Sequence, residues 1–480
     1  MTAAKRALNR LNGWLTQHAL AAGLALALLL SALTALYNVD AGPLRNMNDI
    51  VNWDNRKLFL ALTAAVHFAL LAAATLLYRQ SAARLALRQL TITAGFLILL
   101  LGINQKTWLY TQTVQPLIRA AERGGLAALS GAQTSLSAPA LTLLCAVTGG
   151  PIYDMYLAKL LAIACDVLLA LCVARAADEL GLGLRAEAAL ALCLILPQGF
   201  MNAACSAAID HMAALLLVLS LALCAGALGA KARPLAGMLC WGLAAALSSL
   251  TLCALPAYAL LTARGKVKGA HLAAGAALAL ACCLPAIAAG MPAGEAFGSL
   301  LRGSFGMPGY AAGSPGLHSL FPRAAVEEMP GFAMLSRLPS LDLQTLAAPY
   351  YAQEHLEIAL RGLSLLGIAL LMGAWALALQ NRAMSPLRRA LALTLAALFV
   401  CPGVTAGAWL AADMLCVLAL LAEPRLRLPA CLSLFATAGA SVYPLTGETL
   451  LPMIAAMGLV LVALLLLLDV IPLGEEARHG

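Results

Sequence analysis

Long apolar runs separated by short polar stretches make up most of this chain. Runs such as 14–36, 58–78 and 153–175 have the roughly 20 residues that a helix needs to cross ~30 Å of hydrocarbon. Their Ala and Leu residues follow one another without the every-second-residue alternation of a membrane β-barrel. Because backbone polar groups in hydrocarbon must be satisfied within a segment, the pattern predicts an all-α, polytopic helical membrane protein.

Lys and Arg cluster in the short stretches between apolar runs, and such clusters mark the cytoplasmic side of a membrane protein. They lie at residues 5–10, 79–88, 175–185, 231–233, 264–268, 382–389 and 425–427. Between successive clusters the chain must cross an even number of times, which predicts about fourteen crossings. We therefore expect a multi-pass protein of the cell membrane with both termini in the cytoplasm.

The segment 235–262 differs from the other predicted pairs because each apolar half has only about thirteen residues, too few to span fully. It predicts a broken or re-entrant hairpin with Ser248, Ser249 and Thr251 near its apex. Non-helical backbone at membrane depth is tolerated only where protein or a watery cavity surrounds it.

Three longer polar stretches fall on the predicted outer side, at residues 37–57, 104–152 and 291–357. The second predicts an amphipathic helix in the interface, followed by a short helix at about 138–147 that dips into the outer leaflet. The predicted outer stretches are longer than the inner ones, which indicates that the protein functions at the outer face. The chain divides into N-terminal helices with the first outer loop (1–103), a core (104–290), an outer loop (291–356) and a C-terminal bundle (357–480).

Composition narrows the class further. The chain is 62% hydrophobic and 11% charged, with a mean hydropathy of +0.89, which excludes a soluble globular domain. Its net charge of +8 reflects membrane orientation, so we expect membrane lipids and no nucleic acid as partners. Thirteen cysteines without metal-ligand spacing are interpreted as small packing residues. The first apolar run is too long for a signal peptide and predicts an uncleaved helix.

Two charged residues lie inside one long apolar segment. Lys159 and Asp166 are seven positions apart, two helical turns, so they share one helix face. A charge inside a membrane helix costs about 3 kcal/mol, which makes each a candidate for function or pairing. The alternative is that Lys159 extends to the outer headgroups while Asp166 bonds a neighbouring helix.

A second polar series follows in the returning segment. Asn202, Ser206 and Asp210 recur at four-residue spacing, which predicts one shared helix face. His211 is adjacent but about a hundred degrees around the helix. Asp210 could also be a solvated helix start, where an acid suits the helix dipole.

Asp49 and Asp54 in the first outer loop are the other candidate carboxylates. Their spacing fixes no geometry, and a solvated loop is the alternative interpretation. The sequence contains no phosphate-binding Walker loop, dinucleotide glycine fingerprint, HExxH motif or Gly-x-Ser-x-Gly motif.

The order of motifs resembles the GT-C class of membrane glycosyltransferases, closest to bacterial relatives of the second mannosyltransferase of GPI-anchor synthesis. The similar elements are Gly124-Gly-Leu-Ala-Ala-Leu129, Ser137-Ala-Pro139, Tyr156-Leu-Ala-Lys159, Asp166, Pro197, Asn202, Ser206-Ala-Ala-Ile-Asp210 and Trp241-Gly-Leu-Ala244. The resemblance implies that 104–290 is a GT-C-like core.

The chain departs from that family at three chemical positions. The loop from Lys106 to Pro116 has no acid, the hairpin has Ser248-Ser-Leu in place of Lys-x-Gln, and Val404 to Ala408 replaces His-Glu-Arg-Tyr. Asp49 or Asp54 would then supply the missing acid.

The resemblance implies a transferase that moves a sugar from a polyprenyl phosphate carrier at the outer face, mannosyltransferase-like in type. Asp210 would orient the acceptor or a divalent metal ion, and Lys159 or Arg302 would attract the lipid phosphate. The alternative is a non-catalytic binder of lipid-linked substrate or a scaffold for a protein partner. A transporter is a third alternative, against which stands the lack of an internal repeat.

Overall fold

The computed structural model describes residues 18–46, 53–77, 81–107, 110–111, 115–125, 137–148, 154–206, 209–302, 314–316, 354–380, 384–401, 404, 406–441 and 450–470. Every regular element in these residues is a helix. The prediction of a helical membrane protein is confirmed at this level, because several of the helices are long and apolar.

The α-helices are α1 (Ala19–Asp40), α2 (Trp53–Leu77), α3 (Ala82–Leu101), α4 (Gln115–Gly124), α5 (Ala138–Thr148), α6 (Asp154–Glu179), α7 (Arg185–Leu194), α8 (Asp210–Ala225), α9 (Pro234–Leu247), α10 (Leu255–Ala263), α11 (Gly269–Ala281), α12 (Leu284–Ala288), α13 (Ala293–Arg302), α14 (Glu354–Gln380), α15 (Pro386–Val400), α16 (Leu410–Ala422), α17 (Arg427–Ala440) and α18 (Leu450–Leu467). A π-helical segment (Gly199–Cys205) follows α7, and 3-10 turns lie at Ser249–Ala254 and Ala406–Trp409.

Five segments of the described chain are individually long and apolar enough to cross a membrane. They are Ala19–Asp40, Asn55–Leu76, Ala82–Leu101, Met155–Glu179 and Gly269–Ala288. Helix α7 and the π-helical segment make a sixth candidate that is bent by 52°. The other apolar helices are shorter, so length and composition alone do not yield the fourteen crossings predicted from the basic clusters.

Proline and glycine set several of the helix boundaries. Pro234, Pro256 and Pro285 lie in the first turns of α9, α10 and α12. Backbone N–H groups in a first turn have no acceptor within the helix, so proline, which lacks this N–H, costs no hydrogen bond there. Gly226 ends α8 with φ +74°, and its N–H donates to the Ala222 carbonyl at 2.9 Å. A left-handed residue at this position closes the helix, and glycine adopts it without steric cost.

Four charged side chains join α3, α6 and α7 at one end of the bundle. Arg88 is buried and donates to both Glu187 oxygens, at 3.0 and 2.6 Å, and to Asp178 at 3.0 Å. Arg84 donates to the other Asp178 oxygen at 2.9 Å. The quartet is neutral overall, which is how buried charges are tolerated.

The remaining described basic clusters contact one another at this same end, which we call the basic end. The contacts are Leu228 N–H to Glu179 (2.9 Å), Lys266 to the Ala225 carbonyl (2.8 Å), Arg185 to the Leu421 carbonyl (3.4 Å), Ser385 to Glu423 (2.8 Å) and Arg388 to the Leu467 carbonyl (2.8 Å). Clusters that are far apart in sequence therefore lie together.

A second set of contacts defines the opposite end, which we call the far end. They are Asn104 to the Pro43 carbonyl (2.7 Å), Tyr156 to Asn104 (3.0 Å), Thr107 with Ser206 (2.9 Å), Ala138 N–H to Ser299 (2.8 Å), Trp409 to Ser314 (2.8 Å) and Ser137 to the Ala246 carbonyl. The far end therefore joins the turns that are not marked by basic clusters.

Two short helices at the far end match the predicted outer segment. Helix α4 is amphipathic, with Ile118 buried and Arg119 and Arg123 exposed. It packs on α5, whose residues coincide with the short helix predicted at about 138–147. Residues 126–136 between them lie outside the described residues.

The segment 234–263 forms a hairpin that runs the length of α8. Its first leg starts where the Pro234 carbonyl meets Cys224, and Lys266, just after its second leg, bonds the Ala225 carbonyl. The legs meet through Trp241 and Tyr258, whose ring centroids are 5.9 Å apart. The predicted apex residues Ser248, Ser249 and Thr251 thus lie beside the other end of α8, at the far end.

Close backbone packing fixes the first leg of this hairpin. A Cβ at Gly242 of α9 would lie 2.2 Å from the Gly275 carbonyl oxygen of α11. Small residues at such crossings let membrane helices approach closely and gain dispersion contacts. The hairpin therefore has one firmly held leg, α9, and a second leg, α10, that packs on α14.

The charged quartet predicts a large stability effect at Arg88. Arg88→Met should lower the free energy of unfolding by about 3–5 kcal/mol, because the buried Glu187 and the mostly buried Asp178 lose a partner. Denaturation by sodium dodecyl sulfate in mixed micelles measures this. The control Arg175→Met removes a partly exposed pair with Glu179 at 3.4 Å and should cost under about 1 kcal/mol. Equal losses in the two variants would contradict the prediction.

Candidate functional site

Asp210 begins α8 at the far end, and its carboxylate lies between two other segments. Ser248 at the hairpin apex donates to Oδ1 at 3.3 Å. A Cβ at Gly407, in the 3-10 turn before α16, would lie 2.8 Å from Oδ2. Asp210 is half-buried.

The hairpin apex supplies hydroxyl groups next to Asp210. Thr251 Oγ1 donates to the Ser248 carbonyl at 2.9 Å, which closes the 3-10 turn. Ser249 is buried, and its Oγ has no hydrogen-bond partner in the described residues. Ser137 holds the apex from the side by donating to the Ala246 carbonyl. The arrangement brings hydroxyl groups of the apex to the far end beside a carboxylate.

Lys159 is fully buried in α6 and does not reach the surface. Its Nζ donates to the Ile103 carbonyl at 3.0 Å and to the Gln105 carbonyl, and it lies 5.2 Å from the Tyr110 ring centroid. Carbonyl dipoles and an aromatic face stabilise an ammonium in a buried site. The side chain therefore fastens the end of α3 and the residues after it to α6.

Asp166 lies two turns further along α6 and is also fully buried. Its Oδ1 is 3.3 Å from Nδ1 of His211, the residue after Asp210. A Cβ at Gly199 would lie 2.7 Å from Oδ2, so glycine is required where the π-helical segment passes the carboxylate. His211 therefore faces the bundle interior.

Asn202 and Ser206 do not share one α-helical face with Asp210, contrary to the prediction. Residues 199–205 are π-helical and α8 begins only at Asp210, so the three residues do not lie on one continuous α-helix. Asn202 donates to Gln198 at 2.5 Å, and Gln198 donates to the Thr437 carbonyl at 3.0 Å. Ser206 donates to the Met201 carbonyl at 2.8 Å.

A second buried carboxylate belongs to this interior network. Asp413 of α16 accepts a hydrogen bond from Thr437 of α17 at 2.8 Å. Thr437 also connects through its carbonyl to Gln198. These hydrogen bonds link α16 and α17 to the π-helical segment. Asp413 is therefore part of the interior, whereas Asp210 lies at the far end.

The side chains of three predicted site residues lie outside the described set. Asp49 lies outside the described residues. Asp54 is in the first turn of α2 and Arg302 ends α13, but their side chains are outside the described set. The roles predicted for Asp49, Asp54 and Arg302 stay predictions.

Two groups near the candidate residues were not assigned roles from the sequence. His211 contacts Asp166, although the sequence gives no sign of which helix it faces. Gly407 falls in the segment interpreted as a lost motif, yet it is the residue that lets the backbone approach Asp210. In the described residues, no group of three or more His, Cys, Asp or Glu side chains could hold a metal ion.

Comparisons with protein-family models, curated proteins and solved structures found no match to this chain. The resemblance to GT-C glycosyltransferases therefore stays a prediction that rests on the motifs.

The buried position of Lys159 predicts a structural effect. Lys159→Met should lower the free energy of unfolding by about 1.5–3 kcal/mol, because charge-assisted bonds to two carbonyls are lost. Titration with sodium dodecyl sulfate measures the change. Lys106→Met is the control, since Lys106 is exposed, and it should stay within about 0.5 kcal/mol of the parent protein. A control loss as large as the Lys159 loss would refute this account.

Proposed function

We propose that this chain is a multi-pass membrane glycosyltransferase that uses a polyprenyl phosphate sugar as donor at the outer face of a bacterial plasma membrane. The observation that carries the proposal is the setting of Asp210. Among the predicted site carboxylates whose side chains are described, it alone is partly exposed at the far end. It is held by Ser248 and faces a glycine.

The proposed topology has about fourteen crossings, with the basic end in the cytoplasm and the far end outside. Its support is that the described basic clusters contact one another at one end, while the intervening turns meet at the other. In this topology, short helices such as α15 and α16 also cross the membrane, packed against the other helices of the bundle. The hairpin 234–263 contributes two of the crossings.

The proposed chemistry begins with proton transfer to a carboxylate. An acceptor hydroxyl that attacks the anomeric carbon must lose its proton, and in this proposal Asp210 accepts it. The Ser248 hydroxyl fixes the orientation of Oδ1. Because residue 407 has no side chain, the space beside Oδ2 is free of a competing Cβ. The leaving phosphate requires a cation, for which Arg302 is the proposed residue.

A second candidate is a non-catalytic protein that binds a lipid-linked substrate or holds a protein partner. One observation favours it specifically. Lys159, the other basic residue expected to attract phosphate, is fully buried and already bonded to two carbonyls. In this alternative the far end binds hydroxyl groups through Asp210 and the hairpin apex without breaking a bond.

Turnover of polyprenyl phosphate sugars by the purified protein in lipid nanodiscs distinguishes the two candidates. We expect sugar transfer or donor hydrolysis that falls roughly 10²–10⁴-fold in Asp210→Asn, because the proton acceptor is lost. The double variant Asp49→Asn/Asp54→Asn tests the outer-loop acids in the same assay. Asp40→Asn, an exposed carboxylate at the end of α1, is the control and should keep full activity.

No turnover across a broad donor panel would refute the transferase. Saturable binding of the donor without turnover, weakened by Asp210→Asn, would then support the second candidate.

Reporter fusions test the topology. Alkaline phosphatase fused after Gly290 should be active, because that residue lies at the proposed outer side after α12. The same reporter fused after Gly265, one crossing earlier and at the basic end, should be inactive. Activity in both fusions, or in neither, would contradict the proposed crossing of α11 and α12.

A further inference from the structure

A short piece of the predicted outer loop lies buried at the far end. The segment 314–316, with the sequence Ser-Pro-Gly, is the only part of residues 303–353 that the structure describes, and all three residues are buried. Ser314 accepts a hydrogen bond from Nε1 of Trp409 at 2.8 Å, and both side chains are inaccessible to solvent. Loops normally run over the surface of a protein, so a buried loop segment indicates a specific contact.

The segment 314–316 lies against both sides of the connection between α15 and α16. On one side, a Cβ at Gly316 would lie 3.2 Å from the Leu398 carbonyl oxygen in the last turn of α15. On the other side, Ser314 meets Trp409 at the end of the 3-10 turn that precedes α16. A buried indole N–H requires an acceptor, and Ser314 provides it. We call the hydrogen bond between Ser314 and Trp409 the loop anchor.

The 3-10 turn held by the loop anchor also contacts the site carboxylate. Gly407 and Trp409 belong to the same turn, Ala406–Trp409, so a displacement of one displaces the other. A Cβ at Gly407 would lie 2.8 Å from Oδ2 of Asp210 and 3.4 Å from its Cγ. The backbone of the turn therefore covers one side of the carboxylate. Loop segment, turn and carboxylate form one continuous series of contacts.

We propose that Ser314 is a positioning residue for Asp210, because the loop anchor holds the 3-10 turn against the carboxylate. The outer loop then fixes the orientation of the proposed proton acceptor. Ser314 acts through Trp409 and the backbone at Gly407. Placement matters here because a general base must lie within hydrogen-bond distance of the hydroxyl that it deprotonates. The inference rests on the proposed function for the role of Asp210, but its test does not require turnover.

The chain offers a matched control for the loop anchor. Ser220 of α8 is buried, and its hydroxyl forms a hydrogen bond of 2.5 Å with the hydroxyl of the buried Tyr258. It lies on the same helix as Asp210 but roughly 15 Å further along the axis. Ser220→Ala therefore removes the same kind of bond, from a buried serine to a buried aromatic side chain, without touching the 3-10 turn.

Carbodiimide labelling of Asp210 tests the loop anchor. The full chain in nanodiscs is treated with a water-soluble carbodiimide and glycine ethyl ester, and labelling of Asp210 is followed by peptide mass spectrometry. We expect Ser314→Ala to raise the labelling rate about fivefold, the change in population that loss of one hydrogen bond of typical strength gives. Ser220→Ala should keep the parent rate, and the exposed Asp40 should be labelled equally in every variant. Equal increases in Ser314→Ala and Ser220→Ala would overturn the proposal.

A double-mutant cycle assigns the effect to the hydrogen bond itself. Trp409→Phe removes the donor and should raise the labelling rate by a similar factor, and the double variant Ser314→Ala/Trp409→Phe should exceed neither single variant. Effects that multiply in the double variant would count against the loop anchor. Either single variant decides the test if the other does not fold. Unchanged labelling in Ser314→Ala would refute the loop anchor whatever the activity, whereas the expected labelling without turnover would support it and refute the transferase.

Discussion

A charged side chain in hydrocarbon must find a compensating partner, and this requirement organises the molecule. The basic residues satisfy it at one end, where Arg88 pairs with Asp178 and Glu187. Because burial of an unpaired ion costs several kcal/mol, the segments that carry these residues have one favourable arrangement. Lys159 satisfies the same requirement inside the bundle with two backbone carbonyls. The helices between these points are held by their ends as much as by their apolar faces.

Fixing the basic clusters at one end leaves the far end to be built from distant pieces of chain. Helix α8 begins there, the hairpin 234–263 turns there, and the 3-10 turn at Ala406–Trp409 joins them. Asp210 thereby contacts residues about 40 and about 200 positions away in sequence. A composite site of this kind can combine a carboxylate with apex hydroxyl groups on a rigid helical scaffold, as ligand sites between bundled helices do.

Hydropathy and charge were sufficient to predict the helical class, the grouping of the described basic clusters at one end and the hairpin with Ser248 at its apex. They were insufficient for the site. The shared face predicted for Asn202, Ser206 and Asp210 requires one α-helix through all three, whereas residues 199–205 are π-helical and α8 begins only at Asp210. The partner of Asp166 was hidden because His211 was predicted only to lie away from Asp210. Contacts between helices depend on rotations about each axis that apolar, nearly uniform surfaces do not encode.

The same requirement for compensation separates structural charges from candidate functional ones. Arg88, Lys159 and Asp413 have geometrically good partners, so their roles are explained by the fold alone. Asp210 combines a partner with exposure, and Asp166 combines complete burial with unmet bonding capacity. Since Asp210 and His211 are consecutive at the start of α8, one helix end presents a carboxylate outward and an imidazole inward. The interior pair and the far-end carboxylate are therefore fixed to the same helix start.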